Sequence, residues 1–189
     1  MAEAGYQEAL LGMALSYYDK SEPLVHWWDK QYPKAKKRAK LLAHKQGGHN
    51  KFLESIQVWL LIDAPRAFWQ EFDTYRVGIT KNSGSTMHTL SKRPPLLSDF
   101  ERTVSEGTFK AFYEQWGKFN SSECTLEELK ENLPEGFLQL RQVSTNYKVL
   151  QNMYSQRANH RYIRQRELME GLLAQLKYPE FIKKGGKND

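Results

Sequence analysis

Residues 55–77 read SIQVWLLIDAPRAFWQEFDTYRV, and their periodicity changes halfway along. Ile56, Val58, Leu60 and Ile62 recur at every second position, which puts them on one face of a strand over 55–63. Asp63 then stands where a helix is capped and Pro65 where a first turn tolerates proline, so a helix over about 64–73 is expected. A strand running straight into a helix belongs to a mixed α/β chain. The helix empties into 77–91, VGITKNSGSTMHTLS, a polar loop closed by Pro94-Pro95. Gly78 and Gly84 allow close backbone approach there. Thr80, Ser83, Ser85 and Thr86 supply hydroxyls, and successive N–H groups can form a nest for an anion. The spacing is neither a dinucleotide fingerprint nor a phosphate loop ending in Lys-Ser/Thr.

Upstream, Leu10, Leu11, Ala14 and Leu15 make a helical stripe within 6–18. Residues 21–33, bounded by Pro23 and Pro33, read as a loop or short helix around Trp27-Trp28. A basic helix follows from Lys34 and ends at Gly47-Gly48. Lys34, Lys36, Lys37, Arg38 and Lys40 on it form either a phosphate grip or, by the preferred reading, a solvated face. Downstream, a helix near 98–117 precedes a capping box at Thr125 and Glu128, with Pro134 as a stop. From about Thr145 to Leu176 the pattern is helical with one break, and the tail from about 183 to 189 reads as frayed. On a helix, Arg157, Arg161 and Arg164 would share one face and need an anion or carboxylates among them.

With 189 residues, 40% apolar and 13% aromatic, the chain is expected to form one globular domain over 1–189. Its formal charge of +6 favours anionic partners, either nucleic acid or phosphorylated small molecules. No stretch has the length of a membrane span, and Met1–Lys20 lacks the pattern of a signal peptide. The single cysteine, Cys124, has no internal disulfide partner, which fits a cytoplasmic protein. The histidines lack metal-ligand spacing, so no metal is expected.

The order of elements in 40–77, KLLAHKQGGHNKFLESIQVWLLIDAPRAFWQEFDTYRV, resembles the central stretch of the flavin-dependent thymidylate synthases. Gly48-His49, Phe52, Glu54, the strand, Ala64-Pro65 and Arg76 fall in the family's order. Arg141 and the pair Asn159 and Arg161 are similar to the family's later nucleotide- and flavin-reaching positions. Thr74-Tyr75-Arg76 stands where the family has Arg-His-Arg, and Met87 where it has an arginine. This variant pattern resembles bacteriophage members. The resemblance implies a mixed α/β fold with a central sheet flanked by several helices, and a homo-oligomer, usually a tetramer. It implies FAD as cofactor, deoxyuridylate or a related pyrimidine nucleotide as substrate, and NADPH and methylene-tetrahydrofolate as the other reactants. Carried over residue by residue, Arg76, Glu71, Ser85, Thr86 and Arg141 would bind the substrate. His49, Tyr75, Arg76, Asn82, Asn159 and Arg161 would bind the flavin. Two other readings stay open: a catalytically inactive relative binding a nucleotide or a host protein, and a basic nucleic-acid-binding protein.

Overall fold

The computed structural model describes residues 1–185; the last residues of the tail called frayed lie outside them. Four strands, β1 (Ala2–Ala4), β2 (Gln57–Pro65), β3 (Thr80–Ser83) and β4 (Leu138–Asn146), form one sheet in the order β1-β2-β4-β3. The helices are α1 (Tyr6–Ala14), α2 (Leu24–Leu42), α3 (Arg66–Phe72), α4 (Thr86–Thr89), α5 (Glu106–Asn120), α6 (Leu126–Glu131), α7 (Tyr147–Arg157) and α8 (Ile163–Gln175). The mixed α/β expectation holds. No helix among the described residues is long and apolar enough to cross a membrane.

The chain groups into two compact units, one of Met1–Leu60, Val77–Thr80 and the residues from Ser144 onward, the other of Leu61–Arg76 and Lys81–Val143. In the first unit β1 pairs antiparallel with β2, Glu3 opposite Val58. The Glu3 carboxylate accepts hydrogen bonds from the Tyr147 hydroxyl and from the backbone N–H of Lys177. Burial and that carboxylate raise the Tyr147 hydroxyl above its ordinary range, so it stays a donor. Leu10, Leu53, Ile56, Leu150, Met153 and Phe181 fill this unit's core. In the second unit Phe68, Trp69 and Phe72 of α3 are buried side by side. A separate cluster of Leu90, Phe100, Phe112, Leu129 and Leu133 gathers α5 and α6.

Several elements depart from the sequence reading. β2 begins and ends two residues later than expected. Val58 and Leu60 are buried, while Trp59 between them is 38% exposed. Asp63 lies on the strand rather than capping α3, whose N-cap is Pro65. α2 runs unbroken through Pro33, from Leu24 to Leu42; burial of Trp27 before the proline and of Ala35 and Ala39 after it holds one axis despite the lost N–H. Gly47 and Gly48, both at positive φ, lie past the helix end in the turn that follows. The polar loop contains β3 and the short α4, and α5 starts at Glu106 rather than near 98. The capping box is present as expected: the Thr125 hydroxyl accepts from Glu128 N, and Glu128 accepts from Thr125 N.

The expected helix from 145 resolves into the end of β4, then α7 and α8. Asn146 caps α7, its side-chain oxygen accepting from Val149 N at 3.0 Å. The stripe of Arg157, Arg161 and Arg164 does not form. Arg157 ends α7, Arg161 lies in the connection and Arg164 belongs to α8. The chain bends between them, so helical spacing no longer aligns them.

Candidate functional site

The second unit contains a compact polar arrangement built on α3, β3 and β4. Its centre is Arg141, whose side chain is 17% exposed. Its Nη1 donates to both carboxylate oxygens of Asp73, at 3.1 and 3.0 Å. Its Nε and Nη2 donate to Gln139 Oε1 at 3.1 and 2.8 Å. The guanidinium lies 4.4 Å from the centre of the Trp69 ring, so one face rests on an aromatic. Trp69 is fixed in turn, its indole N–H donating to the carbonyls of Ala64 and Gln139.

Asp73 is the shared anion. Lys81 of β3 reaches it at 2.8 Å, and the same ammonium donates to the Tyr75 carbonyl at 3.3 Å. Burial opposes the charged carboxylate, but hydrogen bonds from Lys81 and Arg141 outweigh it and hold the Asp73 carboxyl below the usual aspartate value. Two cations thus meet one carboxylate over an aromatic floor. Arginine's planar fork pairs with a phosphate in the same bidentate way as with a carboxylate.

The polar loop is tied to the same strand. Gly84 N donates to the Leu140 carbonyl at 3.0 Å, and Gln139 Nε2 donates to the Gly84 carbonyl at 3.0 Å. Gln139 therefore touches Arg141 with one end of its amide and the loop with the other. Ser85, the residue before α4, has a carbonyl that accepts from the N–H groups of His88 and Thr89. Thr86, the first residue of α4, has no hydrogen bond through its hydroxyl among the described residues. Gly78 has φ of +70°, and an added Cβ would lie 2.7 Å from Val149, so its backbone conformation and the space around it both require glycine.

Of the expected substrate residues, the second unit holds Glu71 on α3, Arg76 after it, Ser85, Thr86 and Arg141. Arg76 is exposed and makes no ion pair among the described residues. Of the expected flavin residues, Tyr75, Arg76 and Asn82 belong to the second unit and His49, Asn159 and Arg161 to the first. His49, Asn159 and Arg161 are all exposed. Amide, imidazole and guanidinium donors suit the diphosphate and ring edges of a flavin dinucleotide, so the residue types present are compatible with that cofactor. No group of three metal-ligating side chains occurs among the described residues. Cys124 is half-buried and contacts Gln115.

Sequence reasoning missed Asp73, Lys81 and Gln139. Gln139 and Arg141 stand two apart, on one face of a strand, and that alternation was a usable signal. Asp73 and Lys81 meet only because the chain turns back between them, and nothing in their spacing announces it.

No family model matches the chain, and no curated protein sequence matches it. Solved structures do match. One is a flavin-dependent thymidylate synthase of Helicobacter pylori complexed with FAD and dUMP, at a TM-score of 0.74 and 15% identity over 96% of this chain and 95% of that one. A second structure of that Helicobacter pylori enzyme with FAD and dUMP gives 0.75 and 15%, over 97% and 95%. A UMP/dUMP methylase of Streptomyces cacaoi bound with 5-Br UMP gives 0.62 and 13%, over 96% and 89%. At such identities the likeness is one of fold, and it runs nearly end to end: the chain has the fold of the flavin-dependent thymidylate synthases.

Proposed function

We propose that this chain binds a pyrimidine nucleoside monophosphate of the deoxyuridylate class together with FAD, as a divergent, bacteriophage-type relative of the flavin-dependent thymidylate synthases. The observation that carries the reading is end-to-end likeness of fold to proteins holding FAD with dUMP, or a UMP analogue. The Arg141, Asp73 and Lys81 cluster supports it, because it supplies cations already preorganised around a carboxylate.

In this reading Arg76 and Arg141 neutralise the nucleotide phosphate, and Ser85 and Thr86 donate hydroxyl hydrogen bonds. Glu71 accepts from the pyrimidine edge. Asp73 gives up Arg141 when the phosphate arrives, and Lys81 keeps Asp73 ionised and hydrogen-bonded. His49, Asn159 and Arg161 are the first unit's candidates for flavin contacts, and Tyr75, Arg76 and Asn82 the second unit's. Bound flavin supplies hydride transfer, with NADPH as reductant and methylene-tetrahydrofolate as the one-carbon donor to pyrimidine C5. A homo-oligomer, the tetramer the resemblance implies, and a cytoplasmic setting belong to the same proposal.

A second reading, nucleotide binding without turnover, is favoured by one observation. Thr74, Tyr75 and Met87 remove three basic side chains from the family pattern. The purified protein separates the readings. Flavin absorbance, calorimetric binding of dUMP and formation of thymidylate with all reactants support the enzyme. Binding without product supports the second reading. No flavin, and no thermal stabilisation by saturating FAD or dUMP, overturns both. Binding of duplex DNA that falls steeply with salt would point instead to the nucleic-acid reading.

A further inference from the structure

Beside the cluster, in the second unit alone, lies a hollow of about 560 Å³. Its volume falls within the range of about 300–1,000 Å³ typical of small-molecule sites. Its walls are apolar: Leu90 and Phe112, buried at 6% and 3% exposure, with Trp116 and Phe137 half-buried. Leu138 and Leu140 line it from β4, and Leu140 is 52% exposed although it is a leucine in a strand. Trp116 is not free to turn away. Its indole N–H donates to the Leu90 carbonyl at 2.9 Å, which holds the ring at the wall.

The polar groups around the hollow decide what it can take. Arg93 is committed to Asp99 through two bonds of 2.7 and 2.6 Å, and Asp99 also accepts from Leu96 N. The Thr89 hydroxyl donates back to the Ser85 carbonyl at 2.9 Å. Gln139 is engaged at both ends, with Gly84 and with Arg141. Among the described residues, that leaves the Lys92 ammonium and the Thr86 hydroxyl as the lining polar side chains without a hydrogen bond or ion pair.

We propose that this hollow is a ligand site of its own, for a flat, mostly apolar ring system bearing a single anionic group that Lys92 receives. Aromatic walls favour a ring by burial and offset stacking. One available cation matches one negative charge. A nucleotide phosphate carries close to two, and the second cation here, the Arg93 guanidinium, is already neutralised by Asp99. The inference stands apart from the proposed nucleotide function, and Thr86 at the rim is the one lining residue named in both.

The test uses two fluorescent probes of the same shape, 8-anilinonaphthalene-1-sulfonate, an anion, and N-phenyl-1-naphthylamine, which is neutral. Both are expected to bind wild-type protein one to one. Lys92→Glu, on an exposed side chain, should weaken the sulfonate by about tenfold or more and leave the neutral probe within about twofold. Thr89→Trp, which places an indole in the hollow, should weaken both, with melting temperatures confirming that both variants fold. Binding at several equivalent sites, or equal effects of Lys92→Glu on the two probes, would overturn the proposal. So would loss of neither probe in Thr89→Trp. Competitive displacement of the sulfonate by dUMP would also overturn it, by making the hollow part of the nucleotide site.

Discussion

At the scale of single residues, Arg141 is the most constrained cation described in the second unit. All three of its nitrogens donate within the protein, so its guanidinium is placed before any ligand arrives. Arg141→Ala is therefore expected to act twice. It should weaken dUMP binding at least about tenfold, and it should cost about 1 kcal/mol of stability. Solvent screening of Asp73, whose side chain is 44% exposed, keeps the stability cost near the lower end for a charge-assisted bond. Calorimetry and chemical denaturation measure the two effects separately; an unchanged denaturation midpoint would mean the network is not formed in solution. Asp73 adds a pH dependence with a definite sign. Its carboxyl is depressed in the folded protein, so its contribution is complete above the ordinary aspartate value of 3.8 and fades as pH falls through the lower folded value. Asp73→Asn should flatten the acid limb of the stability profile in that window and leave the neutral region nearly flat in slope. A sequence could not supply this network. Arginine at 141 is visible as a candidate, but whether its partner is a ligand or Asp73 depends on α3 meeting β4, which brings residues 68 positions apart into contact.

Elements were legible where local chemistry decides them and obscure where burial overrides it. The Thr125/Glu128 box is purely local and appears as read; Thr125→Ala should cost about 1 kcal/mol by thermal or denaturant unfolding. β2 was legible because its core-facing residues alternate. β4 was obscure for the opposite reason: its odd positions face inward, yet two of them are Gln139 and Arg141, while Leu138 and Leu140 stand at the even positions. The apolar pattern there marks the wrong face for a core, because those leucines line the hollow. Pro33 misled in the same way, since its local preference to break a helix is outweighed by burial on either side. The joint between β1 and α1 has its own requirement. Gly5 has φ of +86°, and an added Cβ would lie 2.3 Å from the Ser55 carbonyl oxygen. Backbone cannot move aside as a side chain can, so Gly5→Ala should cost more than the roughly 1–2 kcal/mol of the left-handed conformation alone. Gly12→Ala, with nothing within 4 Å, serves as the control and should be neutral or slightly stabilising.

At the scale of the whole molecule, the legible fact was the order of elements, and the least legible was what the outer strand faces are for. β2 buries Val58 and Leu60 yet leaves Trp59 38% and Leu61 67% exposed. Two large apolar side chains on the exposed side of one strand are a poor solution for an isolated chain in water, since each keeps apolar surface hydrated. The proposed homo-oligomer would cover them. Sedimentation at micromolar concentration should then give a mass several times the 22.1 kDa of one chain. Leu61→Lys, which introduces a charge where the wild-type side chain is already solvent-facing in the single chain, should shift that mass toward the monomer while the denaturation midpoint of the monomer changes little. The same variant tests where the flavin is held. If each cofactor needs groups from two copies, FAD binding falls in step with the oligomer. If FAD binding survives in monomeric Leu61→Lys, one chain suffices to hold the flavin, and the oligomer serves stability alone. A wild-type chain that stays monomeric at these concentrations would remove the covering role from Trp59 and Leu61 altogether.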